Sequence, residues 1–175
     1  LYGEADHVYG SLDDVKLGKL NFANFNYDAT QILVNPISLL ASQEIDVVSV
    51  GSSSIEGTVT NEDLAKFLST QAGSEIQDVK VNINKDNISL TGNMNVGMVF
   101  KGSVRLDGNL ELKDNTLLFA PKKFTINGAT IPGLTSNVLE DTEIYDFNNF
   151  PIPVKADTLT TDNGQIRIKV KPVLN

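Results

Sequence analysis

The chain contains no cysteine, no tryptophan, a single histidine, two methionines and six prolines in 175 residues. Without cysteine there can be no disulfide, no thiolate metal site and no thiol nucleophile. With one histidine, His7, any Ser-His-Asp arrangement would have to be built on a residue in the first ten positions. The simpler reading of His7 is a surface residue. A Gly-x-Ser-x-Gly elbow, a phosphate loop and a dinucleotide fingerprint are all missing. So is any apolar run near the ~20 residues that a membrane-spanning helix needs.

Positive charge is also scarce. Fourteen Lys and Arg stand against 22 Asp and Glu, a net charge of −8. That balance repels polyphosphate, so no nucleic-acid partner is expected. It also opposes strong electrostatic docking on anionic membranes, but it does not oppose binding a lipid through its tails. The acids supply no obvious chemistry. Asp13-Asp14, Glu62-Asp63 and Glu140-Asp141 could in principle do paired-carboxylate work. They read more simply as a turn, a helix start and a solvated helix face. The Asp-Asn pairs at 86-87, 114-115 and 162-163 lack the dense oxygen spacing of a calcium loop and read as hairpin turns. No catalytic residue, metal or cofactor is expected.

What the chain does have is a long two-faced ladder. Every even position from Ile88 to Leu112 is apolar or glycine: Ile88, Leu90, Gly92, Met94, Val96, Met98, Phe100, Gly102, Val104, Leu106, Gly108, Leu110 and Leu112. Of the odd positions between them, only Val99 is a clear hydrophobe. Period-two alternation means a sheet with one buried and one wet face. At about 3.3 Å per residue a single such strand would run roughly 80 Å, too long for a domain of this size. The ladder must therefore fold back or bend. Lys101-Gly102 and Asp107-Gly108-Asn109 are the expected places, and a three-residue loop there would preserve the parity.

The flanking segments are read around that ladder. Residues 1–14 read as a loosely ordered lead-in to a single domain over 15–172, within one 1–175 unit. Val15 to Val34 reads as a long or bulged strand pair ended by Asn35-Pro36, with Ile37 to Ala41 as a short helical turn. Ile45–Val50 and Ile55–Val59 read as strands. Thr60 caps a helix with Glu62 and Asp63 in its first turn and Leu64, Phe67 and Leu68 on one face, ending near Ala72-Gly73. Ile76–Ile83 is a strand, and the turn at 84–87 sets Ile83 opposite Ile88. Asp114-Asn115 closes a hairpin with Leu112 opposite Leu117 and Leu110 opposite Phe119. Pro121 interrupts that arm. A second helix is expected from Ile131-Pro132-Gly133 through Leu134, Val138, Leu139, Ile144 and Tyr145. A final hairpin runs over Val154–Thr161 and Gln165–Pro172. The sum is α+β: seven to nine strands in a long, curved antiparallel meander wrapped around two helices, a half barrel.

The apolar face holds both methionines, Met94 and Met98, which adapt to varied apolar guests. It also holds glycines that leave room for bends or neighbours. Two readings of that face are open. Either the helices fill the concavity as a packed core, or the face holds a guest. The expected lining for a guest is Ile88, Leu90, Met94, Val96, Met98, Phe100, Val104, Leu106, Leu110 and Leu112, with Phe67 and Leu68 across from them. The loop with Phe147, Phe150 and Ile152 is a candidate for membrane contact, or alternatively a plug at the sheet end.

Several short stretches resemble one family. They are Ile55-Glu56-Gly57-Thr58-Val59-Thr60-Asn61-Glu62-Asp63-Leu64, Leu110-Glu111-Leu112-Lys113-Asp114-Asn115-Thr116-Leu117, and Asn127-Gly128-Ala129-Thr130-Ile131-Pro132. Phe150-Pro151-Ile152-Pro153-Val154-Lys155-Ala156-Asp157, followed by Asp162-Asn163-Gly164, adds a fourth. Together, over roughly 15–172, they resemble the LmeA-like (DUF2993) phospholipid-binding family. Pro151-Ile152-Pro153 departs from the Pro-Phe-Gly form usual there. The resemblance implies a tubular lipid-binding fold that cradles phospholipid without catalysis, and it carries over no catalytic residue. The implied partner is a phospholipid or fatty acyl ligand, with transient membrane contact. The implied place is the bacterial periplasm or cell envelope, and a signal or anchor segment ahead of Leu1 is expected to have been removed. A β-rich structural or adhesive envelope module is the alternative, and an acid-base hydrolase is a third class. Oligomeric state is left open.

Overall fold

The computed structural model describes residues 3–34, 47–49, 51–98, 100–130 and 139–173. They form two antiparallel sheets and one α-helix. The first sheet contains β1 (Gly3–Leu17), β2 (Leu20–Val34), β3 (Val47–Ser49), β4 (Ser52–Thr60), β10 (Val154–Asp162) and β11 (Gln165–Pro172). Its strand order is β1-β2-β4-β11-β10, with β3 also on β2. The second is a meander in chain order: β5 (Ile76–Ile83), β6 (Ile88–Val96), β7 (Phe100–Lys113), β8 (Thr116–Ile126) and β9 (Thr142–Asp146). The helix α1 (Asn61–Ala72) joins the two sheets.

Local chemistry places the turns. Leu17 pairs with Leu20 across Gly18-Lys19, and Gly18 supplies a left-handed φ of +60° that a two-residue hairpin requires. The last hairpin closes across Asn163-Gly164, with Gly164 at φ +90°. Helix α1 starts on a capping box: the Thr60 hydroxyl accepts from the Asp63 N–H at 3.3 Å, and Asp63 Oδ2 accepts from the Thr60 N–H at 3.0 Å. The Asn61 side-chain oxygen Oδ1 then accepts from the backbone N–H of Ile83 at 2.9 Å, tying the first helical turn to the end of β5.

The expected pairings Ile83–Ile88, Leu112–Leu117 and Leu110–Phe119 are present. Other expectations need correction. The described residues contain eleven strands, not seven to nine. Residues 3–14 are no loose lead-in: they belong to β1, which is paired along its length with β2. Their polar composition reflects an exposed outer strand rather than disorder. The ladder turns back between Val96 and Phe100, not at Lys101-Gly102 or Asp107-Gly108-Asn109. The loop has three residues, as the parity demanded, and Gly97 provides the left-handed φ of +61°. Asp107-Gly108 is instead a bulge: Asp107 faces Lys123 while Gly108 faces Pro121, so Lys122 is the extra residue.

Among the described residues there is one helix, not two. Ile144 and Tyr145 lie in strand β9. The pairing of β9 with β8 outweighs the helical spacing, which rested on only two apolar residues there. Residues 131–138 of the expected second helix, and the expected turn at 37–41, lie outside the described residues.

The core is where the two inner faces and α1 meet. Phe22, Val59, Ile166 and Ile168 come from the first sheet, Ile83, Ile88, Leu117 and Phe119 from the second, and Leu64 and Phe67 from the helix. Each such side chain contributes about 1.5–3 kcal/mol through burial. Asn115, held at φ +62° in the β7–β8 turn, links the sheets on one side. Its amide nitrogen donates to the Val154 carbonyl at 3.0 Å, and its oxygen accepts from the Ala156 N–H at 2.7 Å.

Candidate functional site

The inner face of the second sheet divides along β7. Toward the Asn115 turn, Leu110 and its neighbours Ile88, Leu117 and Phe119 are sealed in the core. Toward the other end, among the described residues, the face meets the last turns of α1, and there a groove of about 210 Å³ remains. Leu68, Gln71 and Ala72 form its helical wall; Ile76, Val79, Leu90, Gly92, Val104, Leu106, Phe119 and Phe124 form its floor and sides. Strand β9 stops at Thr142, opposite Phe119. Beyond that point, among the described residues, β8 is the sheet's edge and Phe124 flanks the groove.

Two backbone features shape this space. The β5–β6 register shifts between Gln77 and Lys80, with Asp78 at φ +53°, so β5 bends over β6. Gly92 lies where a Cβ would sit 2.9 Å from Ile76 Cγ2 and 3.3 Å from the Gln77 carbonyl. Glycine there lets β5 close on β6 without displacing Ile76.

The charge beside the groove is engaged on the wet face. Arg105 Nε donates to Asp107 Oδ2 and Arg105 Nη2 to Asp107 Oδ1, each at 3.0 Å. The same Nη2 donates to the Ser89 hydroxyl at 3.1 Å, which in turn donates to Asp107 Oδ1 at 2.7 Å. The Arg105 hydrogen bonds hold the Asp107 carboxyl below its ordinary range, against the opposing effect of burial, and Asp107 raises Arg105 in return. No group of three His, Cys, Asp or Glu able to hold a metal ion occurs among the described residues.

Of the residues expected to line a guest site, the structure brings four to the groove: Leu68, Leu90, Val104 and Leu106. Phe67, Ile88 and Leu110 are buried in the core, and Leu112 packs half-buried against it. Met94 pairs with Ile76 and Gly102 near the groove's end. Val96 is 45% exposed and Met98 98% exposed, because they form the hairpin tip rather than the middle of a ladder. Phe100 pairs with Val96 through the backbone. The membrane-contact candidates also separate. Phe147 is 1% exposed and meets Tyr145 edge-on at 4.9 Å; Phe150 meets Phe25 edge-on at 5.8 Å. Only Ile152 faces outward.

Sequence reading missed Gln71, Ala72, Ile76, Val79, Thr91, Gly92, Arg105, Phe119, Phe124 and Thr142 as lining. For Phe124 the missing signal was the bulge. Residues Leu117 and Phe119 are odd-numbered and inward, and the extra Lys122 makes even-numbered Phe124 and Ile126 inward after it.

An apolar groove between a helix and a bent antiparallel meander, with its nearby charges paired outside, defines a small β-rich domain built around apolar burial. Comparison with known families matches residues 1–171 to LmeA-like phospholipid-binding proteins. The chain belongs to that family. Comparison with curated proteins and with solved structures returns no match.

Proposed function

We propose that the protein binds an acyl chain of a phospholipid or fatty acid in the groove under the C-terminal half of α1, without catalysing a reaction. The observation that carries this reading is the 210 Å³ apolar space bounded by Leu68, Leu90, Leu106 and Phe124. At about 0.8 kcal/mol for each methylene removed from water, several methylenes lying in the groove are held with no headgroup contact. Family membership supports a lipid as the guest. The same proposal places the protein outside the cytoplasm, in the bacterial cell envelope, where transient contact with a membrane would deliver the lipid.

The sealed half of the face, around Ile88, Leu110 and Leu117, favours a second reading, a structural envelope module whose groove is incidental. Native mass spectrometry of protein purified from cells, followed by displacement of a fluorescent fatty acid, separates the two. The lipid reading expects co-purified lipid and saturable displacement. Protein that carries no lipid and ignores added phospholipid would leave only the structural module.

A further inference from the structure

Strand β1 is the outermost strand of the first sheet, with β2 on one side and no described strand on the other. Its fifteen residues present a long row of backbone donors and acceptors along that open edge. Natural edges are usually guarded by lysine, proline, a bulge or shortness. Here no Lys, Arg or Pro occurs from Gly3 to Val15. The first residue to leave ordinary extended geometry, apart from the ends, is Asp14 at φ +52°. Pairing with β2 is unbroken from His7 to Asp13 and is interrupted at Asp6, opposite Gln31 at φ +52°.

The charges along this edge are one-sided. Glu4 and Asp6 stand at one end and Asp13 and Asp14 at the other, with none of opposite sign between them. The middle is neutral apart from His7, whose Nε2 lies 3.0 Å from Asp28 Oδ1 on β2. Val8, Gly10 and Leu12 share one face there, since Gly10 pairs with Tyr27 and Leu12 with Phe25. Val8 is 39% and Leu12 56% exposed, so this face continues the apolar interior past the core. Pairing with a second copy is disfavoured in the registers centred on Tyr9 and within half a step of it. An antiparallel pairing centred on Tyr9 sets Glu4 opposite Asp14, and a shift by half a step sets Asp6 opposite Asp13. Like charges directly opposite each other are destabilising.

We infer that the open edge of β1 accepts an extended segment of a partner protein as an added strand. That segment carries Lys or Arg at both ends and alternating β-branched residues between them. Backbone hydrogen bonds supply the affinity, the exposed Val8 and Leu12 receive alternate apolar side chains, and the acidic ends select a segment of opposite charge. This surface lies on the first sheet and is independent of the lipid groove.

The test uses the full chain and a synthetic peptide of alternating threonine and valine, about ten residues long to match the edge, with lysines at both ends. The expected result is salt-sensitive binding that slows hydrogen exchange at amides within 4–13. A peptide with glutamates at its ends should bind about tenfold more weakly or worse, from several cross-strand pairs. The E4K/D6K variant should weaken binding of the lysine-ended peptide, since both side chains are exposed. A lysine-ended peptide N-methylated at alternate backbone nitrogens should not bind. Three outcomes overturn the inference: equal binding of the N-methylated peptide, no protection of β1 amides, or stable dimers of the protein in sedimentation.

Discussion

Asn61 holds Ile83: the amide oxygen at the start of α1 accepts the backbone N–H at the end of β5. Gly164 extends the link, since its N–H donates to the Ile83 carbonyl at 2.8 Å and its own carbonyl accepts from the Asn61 N–H at 3.1 Å. The helix is thus fixed at its first turn, and its last turns are left to roof the groove. Asn61→Ala leaves the buried Ile83 N–H without its acceptor and should cost about 1–2 kcal/mol. Asn61→Asp keeps an acceptor oxygen and should retain most of that stability. Urea unfolding of the two variants beside the parent measures both.

Gly108 sits in the β7–β8 bulge, where a Cβ would fall 2.8 Å from Pro121 Cα and against the Ala120 carbonyl oxygen. Both obstacles are backbone and cannot swing aside. Gly108→Ala should destabilise by about 3 kcal/mol, at the upper end of overpacking costs. At Gly92 the nearest atom is the tip of a side chain, Ile76 Cγ2, which can move. Gly92→Ala should therefore cost less, about 1 kcal/mol. Thermal unfolding of the pair tests the order.

Asp107 predicts an acid limb to stability. Its folded carboxyl is held below its usual value by Arg105, so the folded state binds its proton less readily than the unfolded chain does. The resulting stabilisation is complete above the unfolded carboxylate range. It declines as pH falls through that range to the lower folded value. Asp107→Asn removes this contribution at neutral pH and should flatten the stability curve below about pH 4. Chemical denaturation at several acidic pH values measures the slope.

Phe147 and Ile152 lie close in sequence but not in role. Phe147→Ala opens a hole beside Tyr145 and should cost about 3–5 kcal/mol. Ile152→Ser alters a residue that is 45% exposed and should stay within about 0.5 kcal/mol. If Ile152 touches a bilayer, Ile152→Ser should weaken flotation with zwitterionic vesicles while the unfolding midpoint stays fixed.

Leu68 offers a way to fill the groove from the helix side. It packs partly buried against the core while bordering the groove. Leu68→Trp should abolish displacement of a fluorescent fatty acid and shift stability by no more than about 1–3 kcal/mol. Retained binding at parental strength would move the guest to another part of the molecule.

The second sheet was the more legible half of this fold. Ile83–Ile88, Leu112–Leu117 and the strict even-numbered ladder follow from parity and turn residues, which are local. What escaped reading was the places where a residue is added inside a strand pair, and which glycine turns the ladder. Gly97 rather than Gly102 turns the ladder, and which of several glycines takes a left-handed φ depends on distant packing. Lys122 shifts the parity of β8, so Phe124 was not recognised as lining. Leu68, Leu90, Val104 and Leu106 were legible because they repeat on the apolar face. Ile76 and Val79 were not, because the bulge after Gln77 brings them to the groove. The polar β1 was read as loose because its partner, β2, is what orders it.

Asn115 sets a mechanical limit on the molecule. One amide fastens the β7–β8 turn to the start of β10, bridging two sheets with bonds of opposite direction. Spreading the sheets at that corner would break both bonds at once. The Gly164–Ile83 bond and the Thr161 hydroxyl on the Lys85 carbonyl at 2.6 Å fasten the same end of the second sheet to the first. Spreading that spares these bonds parts the sheets at the opposite end, beneath Gln71 and Ala72.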